Sequence, residues 1–537
     1  MPDVPRESLS FAATESLASL AYRDGPLTGL TDSVDSVSHK EGRHGLFVPT
    51  IGEAFCRAVV KRTTAPKRKP LVPSYGADPR RVVEHCLEAE KIRHERDRKL
   101  TAVALVTGLL FLPGTLIWLA AFKIRDLSTP ERRSLYGGIA LTVAGLLAVL
   151  LLLRPFAAGW AGLYIRVMML VPVLGWFIAF RICRRTADQL RLRWNEVLDG
   201  SGLGPVVPEI VPMGPQDTKA EELKKALELL EAEQETNVLQ YAGTKGILGL
   251  GRRWGSWHLA EQIDPAEGVA EIRTFHPWDV LRRIEDRLRE MSRSTMPAEN
   301  GIPDMRVTHW MVMSIPEGAD EISRPSNADM DGYRYRNSAM TSLANKQQFG
   351  RGPRHYLGTQ FVLWGGQLVV TLLVTVTLLH HTLRVEVTGH ALGPMAPLFN
   401  KKASRAEIQV PRPGRPWEER TKQLPIVAAD EVVRLSLRAP FTWPWGEPIL
   451  DWLGGTLKLP EPFGLRHAWA VRPWSDRFMA DDALRVATPV LRTVHKATME
   501  FLEDHDVEVE RFGNRAGMLG GEIQGARASK ADVYDAD

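Results

Sequence analysis

LVVTLLVTVTLLHHTLRVEV, residues 368–387, extends an uncharged run that begins at Leu357. Its length allows a membrane-spanning helix, but its pattern argues for a sheet. Leu368, Val370, Leu372, Val374, Val376 and Leu378 fill the even positions, whereas Thr371, Thr375 and Thr377 keep to odd ones. Leu383, Val385 and Val387 then alternate with Arg384 and Glu386. A period of two rich in β-branched residues predicts strands, because successive strand side chains leave on opposite faces. A helical span has no reason to hold threonine to one parity. Trp364-Gly365-Gly366-Gln367 supplies a turn before the long strand, so the stretch reads as a β-meander.

Upstream lie three runs of a different kind. Leu100–Phe122 has 23 uncharged residues, Ser134–Leu153 has 20, and 155–180 is broken only by Arg166. A span needs about 20 such residues. The expected fold class is therefore an α-helical transmembrane hairpin or bundle of two or three spans plus a soluble α+β domain with a β-meander. In a plasma membrane such a chain is multi-pass, with a cytoplasmic N-terminus.

The flanking cations decide between two and three crossings only in part. Seven Lys or Arg precede the first run, four fill the first loop, Arg154 alone marks the second, and five follow the third run. Three full crossings divide them almost evenly. If the first run instead turns back at Leu112-Pro113-Gly114, sixteen cations lie inside and only Arg154 outside, as the positive-inside rule asks. Two plain readings remain, with the C-terminal domain on opposite sides. Arg166 falls near mid-membrane on this view. It is an intramembrane candidate, either snorkelling to an interface or lining the path of an oligomeric pore.

The remaining organisation follows composition. Residues 1–78 read as a disordered, basic N-terminal region, 79–99 as a juxtamembrane basic helix, and 100–181 as the membrane region. Residues 200–215 read as a Pro/Gly linker, 216–512 as the α+β domain, and 513–537 as a mobile tail. Twelve Lys or Arg against six acids between Lys61 and Lys99 make Lys61, Arg62, Lys67, Arg68, Lys69, Arg96, Arg98 and Lys99 candidates for anionic lipid. Thr218 and Glu221 suggest a capping box opening one amphipathic helix, and a second begins at Pro277.

Signals of chemistry are few. The net charge of +4 gives no argument for nucleic acid. Cys56, Cys86 and Cys183 match no zinc spacing and suit reduced thiols. Gly246, Gly249 and Gly251 lack the spacing of a phosphate loop and suit a hairpin with positive φ. The neighbours His380 and His381 point to opposite faces of a strand end, and no HExxH or nucleophile motif occurs. No cofactor is expected. A polar pocket lined by His258, His309 or His355 would mark an enzyme. Trp443, Trp445 and Trp452 either pin an irregular loop, form a docking surface, or meet the membrane interface.

NVLQYAG with GSWHL, and RHYLGTQFVLWGGQLVV, resemble segments of uncharacterised membrane proteins common in actinobacteria, across Pro155 to Val387. That resemblance implies a short transmembrane segment joined to a C-terminal α+β domain. Membrane proteins of this layout also serve contractile injection systems in those bacteria. The expected function is non-enzymatic: a membrane-anchored interaction protein that recruits or anchors a protein partner. The alternatives are an oligomeric pore or transporter component, a membrane adaptor for a contractile injection system, and an enzyme with a site in the α+β domain. Anionic lipids, an unidentified protein and further copies of the chain are the expected partners.

Overall fold

Residues 368–387 are sheet. The computed structural model describes residues 12–34, 36–66, 68–127, 133–200, 204–211, 217–293, 301–316, 319, 322, 329–346, 349–400, 429–443, 445–471, 473–474, 476–510 and 512. The strands of its main sheet are β1 (Val238–Tyr241), β2 (Arg252–Gln262), β3 (Met305–Ser314), β4 (Arg354–Leu363), β5 (Leu368–Leu379) and β6 (Thr382–Leu392), in spatial order β1-β3-β4-β5-β6-β2. The β1–β3 pair is parallel and every other pair antiparallel. His380 and His381 both take positive φ, 45° and 58°, and form the two-residue turn between β5 and β6. They belong to a hairpin turn rather than a strand end, with ring centroids 5.8 Å apart.

The parity of β5 sorts its side chains between two cores. Leu368, Val370, Leu372, Val374 and Val376 face one apolar cluster, whereas Val369 and Leu373 face another with Tyr75, Leu239 and Trp310. Thr371 is tolerated inside because its hydroxyl accepts a hydrogen bond from Gln360 at 3.2 Å. The glycine-rich stretch begins with a tight turn closed by the antiparallel Tyr241–Ile247 bridge, but it does not join two paired strands as a hairpin would. β1 and β2 are the two outer strands, so residues 242–251 cross five strand spacings, about 24 Å. The positive φ of Gly246, Gly249 and Gly251 serves that crossing, and a Cβ on Gly251 would stand 2.1 Å from the Ala391 carbonyl oxygen.

The main helices are α1 (Ala12–Leu20), α2 (Ile51–Thr64), α3 (Pro79–Val103), α4 (Leu112–Leu127), α5 (Arg133–Leu153), α6 (Gly159–Val167), α7 (Leu170–Leu198), α8 (Thr218–Gln234), α9 (Pro277–Ser292), α10 (Ala429–Arg438), α11 (Glu447–Gly454) and α12 (Arg477–Asp504). α9 and α12 cover the even face of β5 with Leu281, Ile284, Val490 and Val494. The cap of α8 is Asp217, whose carboxylate accepts from the Ala220 N–H at 3.3 Å, rather than Thr218.

A second core overturns the expected domain plan. Leu17, Leu20 and Tyr22, Phe55 of α2, Val82 and Val83 of α3, Trp194 of α7 and Leu227 of α8 share one cluster with Phe399, Phe463 and Trp469. Residues 12–78 are therefore folded, not disordered, over the part that is described. Ser, Thr and small residues suggested solvation, but their hydroxyls are used locally. Ser16 donates to the Ala12 carbonyl and Ser19 to the Ser16 carbonyl, each at 2.7 Å, while Thr14 accepts from the Asp78 N–H at 2.9 Å. The boundary near residue 200 likewise does not separate two folding units, since both sides of it build this core. The expected tail, 513–537, lies outside the described residues.

Between the halves of that core, the chain runs out along α3 and returns along α7. One helical unit, Gly159–Leu198, is long and apolar enough to cross a membrane. Pro79–Leu109 and Leu112–Lys123 meet the same requirement of length and apolar character only together, and they are bent by 107° at the intervening residues. The apolar helix Gly138–Leu153 is shorter. The expected bundle of two or three plain spans is thus reduced to one qualifying unit, one bent pair and one shorter helix.

Candidate membrane-facing surface and its base

Exposed apolar side chains collect on one part of the molecule. Of the 36 large hydrophobic residues exposed among the described ones, 22 lie between Leu105 and Ile178. Phe156 and Trp160, at the α5–α6 turn, are 81% and 87% exposed. Patches of a few hundred Å² already mark interaction sites in soluble proteins. Here every helix from 105 to 178 contributes.

The two helix breaks within this region are packed against each other. Tyr164 donates from its hydroxyl to the Leu110 carbonyl at 3.0 Å, and Trp118 Nε1 donates to the Met169 carbonyl at 2.9 Å. These are carbonyls a break would otherwise orphan, and in hydrocarbon such groups need a partner within the protein. Gly114 allows the approach: a Cβ there would stand 1.9 Å from the Met168 carbonyl oxygen. The 107° bend thus falls at 110–111, immediately before Leu112-Pro113-Gly114, where composition suggested a break. Lower down, Thr107 lies against Gly175, and Leu100 clusters with Ala179 and Cys183.

Arg166 is exposed on the last turn of α6, and no ion pair holds it among the described residues. It lies seven residues from Gly159 and fourteen from Phe180, a third of the way along this apolar segment and nearer its middle than its Gly159 end.

The expected lipid-binding set is divided. Arg62 pairs with Glu461 at 2.9 Å and also donates to the Lys69 carbonyl at 2.5 Å. Arg68 pairs with Glu233 at 2.6 Å and Arg96 with Asp97 at 2.7 Å, each pair buried. Lys61 is exposed, 3.7 Å from Asp451. Lys69 is half-buried, and Lys67 lies outside the described residues. The guanidinium groups of Arg62, Arg68 and Arg96 hold the body together and do not form a lipid surface. Arg98 and Lys99 are exposed at the point where α3 becomes apolar, and Arg181, Arg184 and Arg185 are exposed on the facing part of α7. A count of cations could not separate these groups, because the partners of Arg62 and Arg68 lie far along the chain and the Arg96–Asp97 pair is buried only by the tertiary fold.

Trp443, Trp445 and Trp452 are 43%, 64% and 56% exposed, so they do not pin the loop on a core. The Arg43 guanidinium lies 4.6 Å from the Trp452 ring centroid.

The histidines divide as well. His309 Nδ1 and His355 Nε2 are 2.9 Å apart, and His309 Nε2 is 3.0 Å from Glu285. Trp278 covers both rings, with centroids 4.8 and 5.5 Å away. Burial and the neighbouring His309 lower the His355 pKa to about 3. Burial would raise the Glu285 pKa, but its bond to His309 outweighs this and lowers it to about 2. The β3–β4 register and an α9 turn create this chain. Sequence reading missed Glu285, whose only signal was an acid on an otherwise apolar-striped helix. His258 lies elsewhere, in a crevice of about 20 Å³ with Trp257 and His495, too small for a substrate.

Two larger cavities are present. One of about 570 Å³, where the N-terminal segment meets α3 and α7, is lined by Asp24, His39, Arg96, Cys183, Glu431 and Arg434. Its guanidinium groups are already paired, Arg434 with Glu431 at 2.5 Å and Arg96 as above. The other, about 650 Å³, lies beside Trp364, whose Nε1 donates to Asp482 at 2.9 Å. Neither cavity contains the His309–His355 pair. Among the described residues no group of three or more His, Cys, Asp or Glu is placed to hold a metal.

The fold is thus that of an α+β protein with a six-stranded mixed sheet and an apolar helical excursion. The profile of the AbeC-like domain matches residues 256–529, just over half of the chain, and the protein belongs to that family. The match contains most of β2, all of β3 to β6, and α9 to α12. It contains RHYLGTQFVLWGGQLVV and almost all of GSWHL, but not NVLQYAG or the apolar helices. It therefore carries neither a membrane nor an actinobacterial assignment. No curated protein and no solved structure matches the chain.

Proposed function

We propose that this protein is a non-enzymatic membrane anchor that holds its α+β body on the cytoplasmic face of the plasma membrane, where the body receives a protein partner. The observation that carries this reading is the core shared across the apolar excursion. Leu17 and Phe55 before it, and Phe463 and Trp469 after it, are packed together. Both halves of the body must then lie on one side of any membrane the excursion enters, which requires an even number of crossings. Under this reading α3 reaches the middle of the bilayer and turns back through α4. α5 crosses outward, and the unit formed by α6 and α7 crosses inward. The segment 159–180 is about 33 Å long, matching a hydrocarbon core of about 30 Å. The cation count agrees independently, because this path leaves only Arg154 outside.

The test uses thiol labelling in intact cells. All three native cysteines are buried and give a low background. Arg154→Cys should react with a membrane-impermeant maleimide from outside, whereas Arg98→Cys and Leu437→Cys should react only after permeabilisation. External labelling of Arg98→Cys would overturn the assignment.

A further inference from the structure

We infer that Trp443 and Trp445, with the exposed cations at the base of α3 and α7, form a second membrane contact in the anionic headgroup layer. This inference rests on the membrane reading above and extends it to the surface of the soluble body.

The level of these residues follows from what their neighbours touch. Val432, Leu435 and Ala439 of α10 and its following turn share a cluster with Leu100, Ala179 and Cys183. That cluster lies where both stalk helices change character: Arg98 and Lys99 give way to Leu100, and Phe180 to Arg181. Trp443 and Trp445 follow Ala439 by four and six residues. Two residues after Trp445, Glu447 is close enough to Glu90 of α3 to act on its carboxyl electrostatically. Leu100 and Glu90 are about 15 Å apart along the helix. The segment that carries the two rings thus runs between the apolar boundary and a point about 15 Å below it, an interval whose upper half is the headgroup layer, about 5–8 Å deep on each side.

Chemistry fits the same occupant. Indole rings suit a medium that is apolar on one side and wet on the other. Leu437 on α10, the helix that leads into this segment, is exposed as well. Arg98, Lys99, Arg181, Arg184 and Arg185 are exposed at this level without burial in the body. Juxtamembrane cations are attracted to anionic lipid by about 1 kcal/mol each. The surface is continuous with the apolar helices. Trp452 differs: its neighbour Asp451 pairs with Arg57 of α2 at 3.2 Å, on the body side, so its ring lies farther from the bilayer.

Full-length protein carrying an environment-sensitive fluorophore on Trp445→Cys is reconstituted in vesicles containing phosphatidylglycerol. The emission should shift to the blue and be quenched by a headgroup nitroxide lipid, with little quenching by aqueous iodide. The same probe on Trp452→Cys should remain open to iodide. In pure phosphatidylcholine the Trp445→Cys probe should lose part of its shielding. A probe on Leu146→Cys monitors the apolar helices separately. If Leu146→Cys is quenched by lipid while Trp445→Cys stays open to iodide, the inference fails and the membrane reading stands. If neither probe meets lipid, both fail. Equal shielding in neutral and anionic vesicles would overturn the role given to the cations.

Discussion

The guanidinium of Arg23 lies 5.3 Å from the ring centroid of Trp194 and donates to the Leu398 carbonyl at 2.5 Å. One side chain thus ties together the N-terminal segment, the helix returning from the apolar excursion, and the C-terminal half. Tyr22 extends the junction by donating to Glu88 at 2.6 Å, and Glu88 accepts from Arg193 at 2.6 Å. The first prediction follows directly. Residues 201–537 expressed alone should not give a folded protein, because Phe399, Phe463 and Trp469 would lose most of their cover. Sequence reading predicts the reverse, a free-standing domain. A soluble fragment with a cooperative thermal transition would show that the shared core is dispensable.

Glu53 and Arg438 are paired through both carboxylate oxygens in the interior. Burial alone would raise the Glu53 pKa, but Arg438 and Arg57 outweigh it and hold the carboxyl well below its ordinary range. Its contribution is present above the unfolded carboxylate pKa and is lost as pH falls below it. Arg438→Leu leaves that charge without its main partner and should cost about 3–5 kcal/mol. Combining Glu53→Leu with Arg438→Met should recover most of the loss. Unfolding in detergent measures both, and equal stability of Arg438→Leu and wild type would refute the claim.

The His309–His355 pair gives a pH prediction with a definite sign. The folded-state pKa of His355, about 3, lies below the ordinary value of 6.5, so the native state binds fewer protons than the unfolded one. Stability should therefore fall as pH drops below 6.5 and keep falling toward 3, by up to about 1.4 kcal/mol per pH unit from this residue. His355→Gln should flatten that slope between pH 6 and 4. An unchanged slope would place the sensitivity in other buried histidines, such as His390.

Gly114→Val places a side chain against the Met168 carbonyl, so the two helix breaks must separate. Accumulation in the membrane should fall, and a probe near Thr115 should gain mobility. Gly145→Val is the control, since nothing lies within 4 Å of a Cβ there. Equal loss in both variants would show that the effect is not specific to the turn-back.

Arg166→Leu should preserve insertion and leave vesicle permeability unchanged, because it removes a cation that costs about 2.5–3.5 kcal/mol at a helix centre and less toward an end. Arg166→Glu should reduce accumulation. Loss of an ion leak on Arg166→Leu would favour a pore over an anchor.

How far the sequence revealed all this depends on the range of the interactions involved. The β5–β6 meander was legible because parity is local: each residue reports its own face. The bend just before Leu112-Pro113-Gly114 was legible because proline and glycine act on their own backbone. α1 was not, since its serines satisfy themselves inside a core built from residues hundreds of positions away. Arg62 and Arg68 counted as surface charge for the same reason: Glu461 and Glu233 are distant in the chain, whereas Arg96 pairs with its neighbour Asp97 and only its burial is a long-range property. Glu285, His309 and His355 came together only through strand register and helix packing. The order of β1 and β2 at opposite edges is likewise a property of pairing, which a strand-by-strand pattern does not contain.

The shared core also sets an order on biogenesis. α1 and α2 leave the ribosome first, but Phe463 and Trp469, which close their core, are made roughly 400 residues later, about 20–80 s at ordinary elongation rates. Under the anchor reading proposed above, the apolar helices enter the bilayer during that interval, while Leu17, Leu20 and Phe55 have no final cover. The nascent chain would then be pinned at the membrane before its body can fold, its first helices sheltered there until the last third of the polypeptide arrives.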